Sequence, residues 1–226
     1  PRSTPLYSSA ASDVYKRQAM IRGAFEFQGQ KCSAMSRAYI PETIWEELKD
    51  KYLSELETVT VGSPRDFTNF MNAVIDKPAF DSITQYIDYT KNADETEIIS
   101  GGNYDDSIGY YIQPTTILTS DPYFKTMKEE IFGPCCHLSP FDDIDEVIGL
   151  ANDTEYGLAA TLWTQDVKKA NRVAARIESG ITWVNCWFLR DLRTPFGGTK
   201  KSGIGREGGE YSLEFYTELQ NICLKL

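Results

Sequence analysis

From Asp142 to Asn185 helical and extended patterns alternate with connections of only a few residues, and few folds accommodate that order. Asp142 or Asp143 can cap a helix running through Val147 and Leu150, LAATLWT (158–164) reads as a buried strand, and Asp166 opens a second helix. In that second helix Val167, Ala170, Val173, Ala174 and Ile177 recur at helical spacing. Gly180 stands where a left-handed cap is wanted, and ITWVN follows as a strand. Strands separated by single helices and short connections pair in parallel, so the expected class is α/β with a parallel sheet.

The flanking regions are consistent with this class. After Pro41, Ile44, Leu48, Tyr52 and Leu56 form an apolar stripe at steps of four, which predicts an amphipathic helix over 42–56. EIIS before Gly101 and YYIQPTTIL predict strands, with Asn103 to Gly109 as the turn between them and Pro114 marking an edge or an irregularity. Residues 1–18 lack apolar periodicity and are expected to be an extraneous leader. Residues 185–209 hold seven glycines and prolines, as a long ordered, functional loop would. SLEFYTELQNICLKL alternates as a final strand, and such a strand needs an edge to pair with, for which a partner subunit is the candidate. The expected organisation is therefore leader 1–18, domain 19–210 and C-terminal oligomerisation strand 211–226.

Composition narrows the function. A chain of 226 residues with 41% hydrophobic residues can bury a substantial core. A net charge of -10 disfavours nucleic acid and anionic membrane surfaces as partners. No apolar run reaches the roughly 18 residues that span a bilayer, and no signal peptide is visible, so a soluble cytoplasmic protein is expected. The five cysteines form no CxxC and suggest neither zinc nor a disulfide framework. Cys135, Cys136 and His137 are adjacent, but in an extended apolar run neighbours point to opposite faces, so no metal site is expected there.

The candidate chemistry centres on Cys32. It follows GQK on a glycine-relieved turn, where Lys31 or a helix N-terminus would favour the thiolate, the reactive form of the most nucleophilic side chain near neutral pH; on spacing alone the alternative is an inert buried cysteine. A cysteine hydrolase would need the sole histidine, His137, as base, and no motif surrounds it. Gly203, Gly205 and Gly208 spell G-x-G-x-x-G, but no strand is predicted before them. Only 18 residues follow, too few for a βαβ unit, so they are read as turn glycines.

Four segments in order, GQKCSA (29–34), KEEIFGP (128–134), YGLAATLWT (156–164) and PFGGTKKSGIGRE (195–207), resemble the aldehyde dehydrogenase superfamily across essentially the whole chain after residue 18. The resemblance implies Cys32 as nucleophile, an oxyanion held in part by the cysteine's own backbone N–H, and NAD as cofactor, with NADP open. It implies Glu130 on the nicotinamide ribose and Phe132 near the nicotinamide ring. The family's general-base glutamate, oxyanion asparagine and phosphate-binding segments precede the cysteine in longer relatives and have no match here. The N-terminal Rossmann half is thus expected to be missing and this chain alone to be inactive.

Residues 19–134 are similar to L-glutamate γ-semialdehyde (1-pyrroline-5-carboxylate) dehydrogenases, where Ser33 matches a substrate-loop position. Residues from 135 on look like 2-hydroxymuconic or 2-aminomuconic semialdehyde dehydrogenases. A chimera joined at EEIFGP is expected from this. Both aldehydes carry a carboxylate, for which Arg190 is the candidate partner, as against a surface arginine paired with Asp191 or a glutamate; Phe196 is expected to line the aldehyde pocket, the alternative being plain core. The expected activity is oxidation of a semialdehyde by a homo-oligomer. An inactive dimerisation module is the reading from another class.

Overall fold

A computed structural model describes residues 10–226, which divide into two compact units, one ending at Ala151 and the other spanning Asn152–Leu226. The first opens with helix α1 (Ala10–Phe25), whose last turns bury Ile21, Ala24 and Phe25. This corrects the expected leader boundary: residue 18 lies inside α1, which runs unbroken from Ala10, and Arg17 ion-pairs with Glu55 at 3.1 Å. The remainder of the expected leader lies outside the described residues.

After the Cys32 turn come β1 (Arg37–Pro41) and α2 (Trp45–Leu56), the latter where the stripe of four predicted it. Helix α3 (Lys77–Lys91) follows. Asp76 caps it by accepting from the Ala79 N–H at 2.9 Å, and Pro78 sits in the first turn, where a missing N–H costs nothing. The strands β2 (Thr96–Ser100), β3 (Tyr104–Asp105), β4 (Tyr111–Ile112) and β5 (Thr115–Thr119) come next. The YYIQPTTIL run is thus two strands broken at Gln113–Pro114, and β3 with β4 forms a small antiparallel hairpin. The short α4 (Lys125–Lys128) and β6 (Cys135–Phe141) lead to α5 (Ile144–Asn152), whose first turn is capped by Asp143 accepting from the Asp145 and Glu146 N–H groups at 2.8 Å.

The main sheet has the order β1-β6-β5-β2. The pairs β1–β6 and β6–β5 are parallel, whereas the edge strand β2 runs antiparallel to β5, so the sheet is mixed rather than wholly parallel. Successive residues of β6 face opposite layers. Cys136 and Leu138 join Phe25, Tyr52, Leu56 and Met71 in one core, while Cys135 joins Phe80, Ile83, Ile87 and Ile112 in another. α1 and α2 therefore cover one face and α3 the other. The alternation expected at Cys135–Cys136 is what separates the two cores. Tyr52, fully buried, sets its hydroxyl against Thr116 Oγ1 at 3.0 Å, as a buried phenol must.

The second unit is built from β7 (Tyr156–Gly157), β8 (Ala159–Leu162), α6 (Val167–Ala174), β9 (Ile181–Val184), β10 (Thr199–Lys200) and α7 (Gly209–Tyr216). β8 and β9 pair in parallel through α6, as the alternation predicts, and Asp166 caps α6 on the Lys169 N–H at 3.0 Å. Two expectations are corrected. Gly180 does not adopt left-handed backbone; it is needed because any side chain would collide with the Gly197 carbonyl. The final strand predicted over 211–226 is helical through Tyr216, and residues 217–226 enter no sheet among the described residues. Among the described residues, no helix is long and apolar enough to cross a membrane.

Candidate active site

Cys32 lies exposed on the turn between α1 and β1. The turn is held in an unusual backbone. Phe27, Gln28 and Gly29 are consecutively left-handed, with φ of 54°, 61° and 65°. Such conformations cost non-glycine residues energy and persist only where the surroundings enforce them. Here Gln28 Oε1 accepts from the Asn72 N–H at 3.1 Å and Gln30 Oε1 from the Ile75 N–H at 2.9 Å, so the two glutamines fasten the turn to one segment. Between them Gly29 lies so close to Gly133 that a methyl group would strike the Gly133 carbonyl. Downstream, the Met35 N–H bonds the Gly23 carbonyl at 2.8 Å and ties the turn back to α1.

This close approach brings together GQKCSA and EEIFGP, which are about a hundred residues apart in sequence. The Cys32 backbone N–H donates to no group among the described residues and is available to an oxyanion. The Lys31 ammonium pairs with Glu26 at 3.1 Å and lies over the Phe27 ring at 5.2 Å. Burial alone would raise the Glu26 carboxyl, but its hydrogen bonds and charge contacts with Arg22 and Lys31 hold it below the usual carboxylate value. Ser33 is 7% exposed, and its Oγ is buried without a hydrogen-bond partner among the described residues.

The two glutamates of EEIFGP differ. Glu129 accepts from the Tyr86 hydroxyl at 2.7 Å, whereas Glu130, exposed, has no hydrogen-bond or ion-pair partner among the described residues. Phe132, also exposed, is held at φ 52° beside the glycine contact. A free carboxylate can accept from both hydroxyls of a ribose, and an exposed aromatic edge suits a flat ring, so these residues fit the nicotinamide end of a dinucleotide. His137 is engaged elsewhere. It lies 1% exposed within β6, with Nε2 and Thr126 Oγ1 2.8 Å apart, and burial lowers its pKa to about 4. A buried histidine tied into the sheet does not present itself as base to an exposed cysteine.

In the second unit the Arg190 guanidinium stacks on the Phe196 ring at 3.9 Å from its centroid, joining two of the expected substrate residues. Its acidic partner is Glu207, at 3.3 Å. Asp191, the neighbour in sequence, pairs instead with Arg193. Backbone hydrogen bonds of 2.7 and 2.8 Å bridge Phe196 and Glu207.

The aldehyde dehydrogenase family matches residues 11–222. The chain belongs to that family. The 2-hydroxymuconic semialdehyde dehydrogenase of Pseudomonas putida is 45% identical over 218 residues, covering 92% of this chain and 44% of the relative. The 2-aminomuconic 6-semialdehyde dehydrogenase of a Pseudomonas species is 40% identical, over 92% of this chain and 43% of the relative. Among solved structures, HpcC from Thermus thermophilus superposes with a TM-score of 0.88 at 34% identity over 92% of this chain and 42% of that one. The NAD+ complex of an aldehyde dehydrogenase from Bacillus cereus gives 0.87 at 33% over 94% and 43%. The chain thus spans less than half the length of these relatives. The family match begins at residue 11, close to the start of α1 and well before the expected leader boundary. The muconic-type relatives span residues on both sides of EEIFGP, so the expected change of family at that motif, and the chimera inferred from it, find no support in them.

Sequence reasoning missed several residues that shape this candidate site. Gln28 and Gln30 flank the glycine visibly, but the N–H groups they grip lie more than forty positions away. Tyr86 carried no motif signal, and Glu207, though it closes the PFGGTKKSGIGRE segment, gave no sign of its partner; Tyr86 engages Glu129 and Glu207 engages Arg190. The G-x-G-x-x-G run is preceded by the two-residue β10 and followed by α7, which the sequence did not suggest, but β10 pairs antiparallel with β7 and no return strand follows. These glycines remain turn residues, with Gly208 at φ 105° against the Thr194 carbonyl.

Proposed function

We propose that this chain supplies the catalytic cysteine and part of the cofactor and substrate contacts of an NAD-dependent semialdehyde dehydrogenase, acting on a muconic-type semialdehyde that carries a carboxylate. The observation that carries this reading is the exposed Cys32 on a strained, doubly fastened turn packed against the segment bearing Glu130 and Phe132.

Cys32 Sγ attacks the aldehyde carbon, and the carbonyl electrons move to oxygen, where the Cys32 N–H donates to the developing charge. Glu130 would hold the ribose hydroxyls of the cofactor and Phe132 would lie near its nicotinamide. When bound, the nicotinamide supplies the two-electron oxidant that accepts hydride from this carbon. Water then attacks the resulting thioester carbon, giving up one proton to solvent and leaving the other on the acid, and Cys32 departs as thiolate. Ser33 lines the substrate loop, Phe196 the pocket wall, and Arg190 receives the carboxylate in a forked pair. The exposed Leu219, Ile222, Leu224 and Leu226 form the segment through which copies associate.

The preference for a muconic substrate over L-glutamate γ-semialdehyde rests on relatives of 40–45% identity that span the whole matched region. It is tested by comparing kcat/KM for the two semialdehydes in the protein encoded at the source locus. A tenfold or greater preference for the muconic substrate is expected; a preference for the glutamate semialdehyde overturns the substrate assignment and leaves the aldehyde dehydrogenase reading standing.

A further inference from the structure

Arg190 is a cation held in place but barely neutralised. Its guanidinium lies flat on Phe196, which fixes the plane of the fork. Its polar contact is Nη2 to Glu207 Oε1 at 3.3 Å, at the long end of hydrogen bonding, and its remaining N–H donors meet no partner among the described residues. Both side chains reach solvent, Arg190 at 34% and Glu207 at 65%. Single, exposed pairs of this kind are weak, whereas two parallel N–H···O bonds to a carboxylate are stronger and directional. Yet Glu207 cannot drift away, because the backbone bridge between Phe196 and Glu207 keeps its carboxylate within reach of the ring that carries the guanidinium. Asp191, the other nearby acid, is occupied by Arg193 through contacts of 2.9 Å to Nε and 2.5 Å to Nη2.

We propose that Glu207 is an internal counter-ion which Arg190 exchanges for the substrate's carboxylate, and that it thereby sets how strongly the site prefers carboxylate-bearing aldehydes to uncharged ones. This rests on the reading of Arg190 as the carboxylate receptor. In the resting state Glu207 occupies one arm of the fork and keeps the guanidinium stacked. An incoming carboxylate takes both arms, and Glu207 returns to water, where its exposed side chain is readily hydrated. The tethered acid also repels carboxylates that fail to displace it. Glu207 is thus a specificity-determining residue that makes no lasting contact with substrate.

The test is calorimetric titration with muconate, a non-reactive dianion, at low ionic strength, on the wild-type chain, Glu207→Gln, Arg190→Ala and the double variant. Glutamine keeps the shape of an exposed side chain and leaves the backbone bridge intact. Removing a competing exposed ion pair is expected to lower Kd for muconate about two- to fivefold in Glu207→Gln. Arg190→Ala should abolish binding, and Glu207→Gln should add nothing in that background. An unchanged or raised Kd in Glu207→Gln, with binding still lost in Arg190→Ala, overturns the exchange and leaves Arg190 as receptor. Binding that survives Arg190→Ala, or fails in wild type and Glu207→Gln alike, overturns the receptor reading and the exchange with it.

Discussion

Cys32 stands on a turn fastened to a three-layer core, whereas Arg190 lies in a segment where, among the described residues from Asn152 on, only Ala170, Val173 and Trp183 are buried hydrophobics. In the first unit a left-handed run of backbone is paid for by two glutamine carbonyls, a glycine–glycine approach and the packing of Phe25 behind it. In the second, position is set by backbone: Gly180 against Gly197, the Phe196–Glu207 bridge, and Asn152, which accepts from the Glu178 N–H at 2.9 Å and donates to the Arg176 carbonyl at 2.8 Å. In the proposed function the nucleophile stands on the unit with the larger buried core, and the carboxylate receptor on the one positioned mainly by hydrogen bonds.

Truncating the core behind the turn gives the largest expected effect. Phe25→Ala removes a fully buried ring and is expected to cost about 3–5 kcal/mol, while Val173→Ala in the second unit costs roughly 1–3, both read from denaturant unfolding. Equal losses would break the contrast.

Next comes pH. His137 in the folded chain holds its proton only below about pH 4, whereas an unfolded histidine titrates near 6.5. The unfolded state therefore binds more protons between these values. Stability is full above about pH 6.5 and falls, by about 3 kcal/mol in all, as pH drops to about 4. His137→Leu should flatten that part of the profile, measured as the unfolding midpoint against pH; a slope that persists unchanged would place the sensitivity elsewhere.

The smallest difference compares two glycines. Gly29→Ala meets both a φ of +65° and the Gly133 carbonyl, whereas Gly203→Ala, at φ +141°, meets only an ordinary contact with the Gly198 nitrogen at 4.0 Å. Backbone strain alone is worth roughly 1–3 kcal/mol at either position, so the excess in Gly29→Ala reports the close approach of the two motifs. Thermal melts of the two variants measure it, and parity would mean that the turn is not braced by EEIFGP.

How much was legible follows the same division. α2, α5, α6 and the parallel β8–β9 pair were readable because periodicity and capping residues act locally, through Asp143 and Asp166 for instance. α3 carried equally plain signals, Asp76, Pro78 and the Phe80–Ile83–Ile87 stripe, and was overlooked among polar neighbours. The terminal strand was misread because SLEFYTEL fits both periods, and here the helix wins through Tyr216. Cys32, Glu130 and Arg190 were singled out through motif resemblance rather than geometry, and their roles stand as proposals. Which glutamate of the pair is free, and which acid Arg190 meets, depended on Tyr86 and Glu207, contacts across 43 and 17 positions that no local pattern encodes.

The most direct test of the central claim is to quench the protein encoded at the source locus during turnover of a carboxylate-bearing semialdehyde with NAD+, and to weigh its cysteine peptides. The account predicts an acyl mass on the Cys32 peptide, absent in Cys32→Ser and absent from Cys223, the other exposed cysteine among the described residues. Turnover that proceeds in Cys32→Ser, or an acyl group found on a different cysteine, would contradict it.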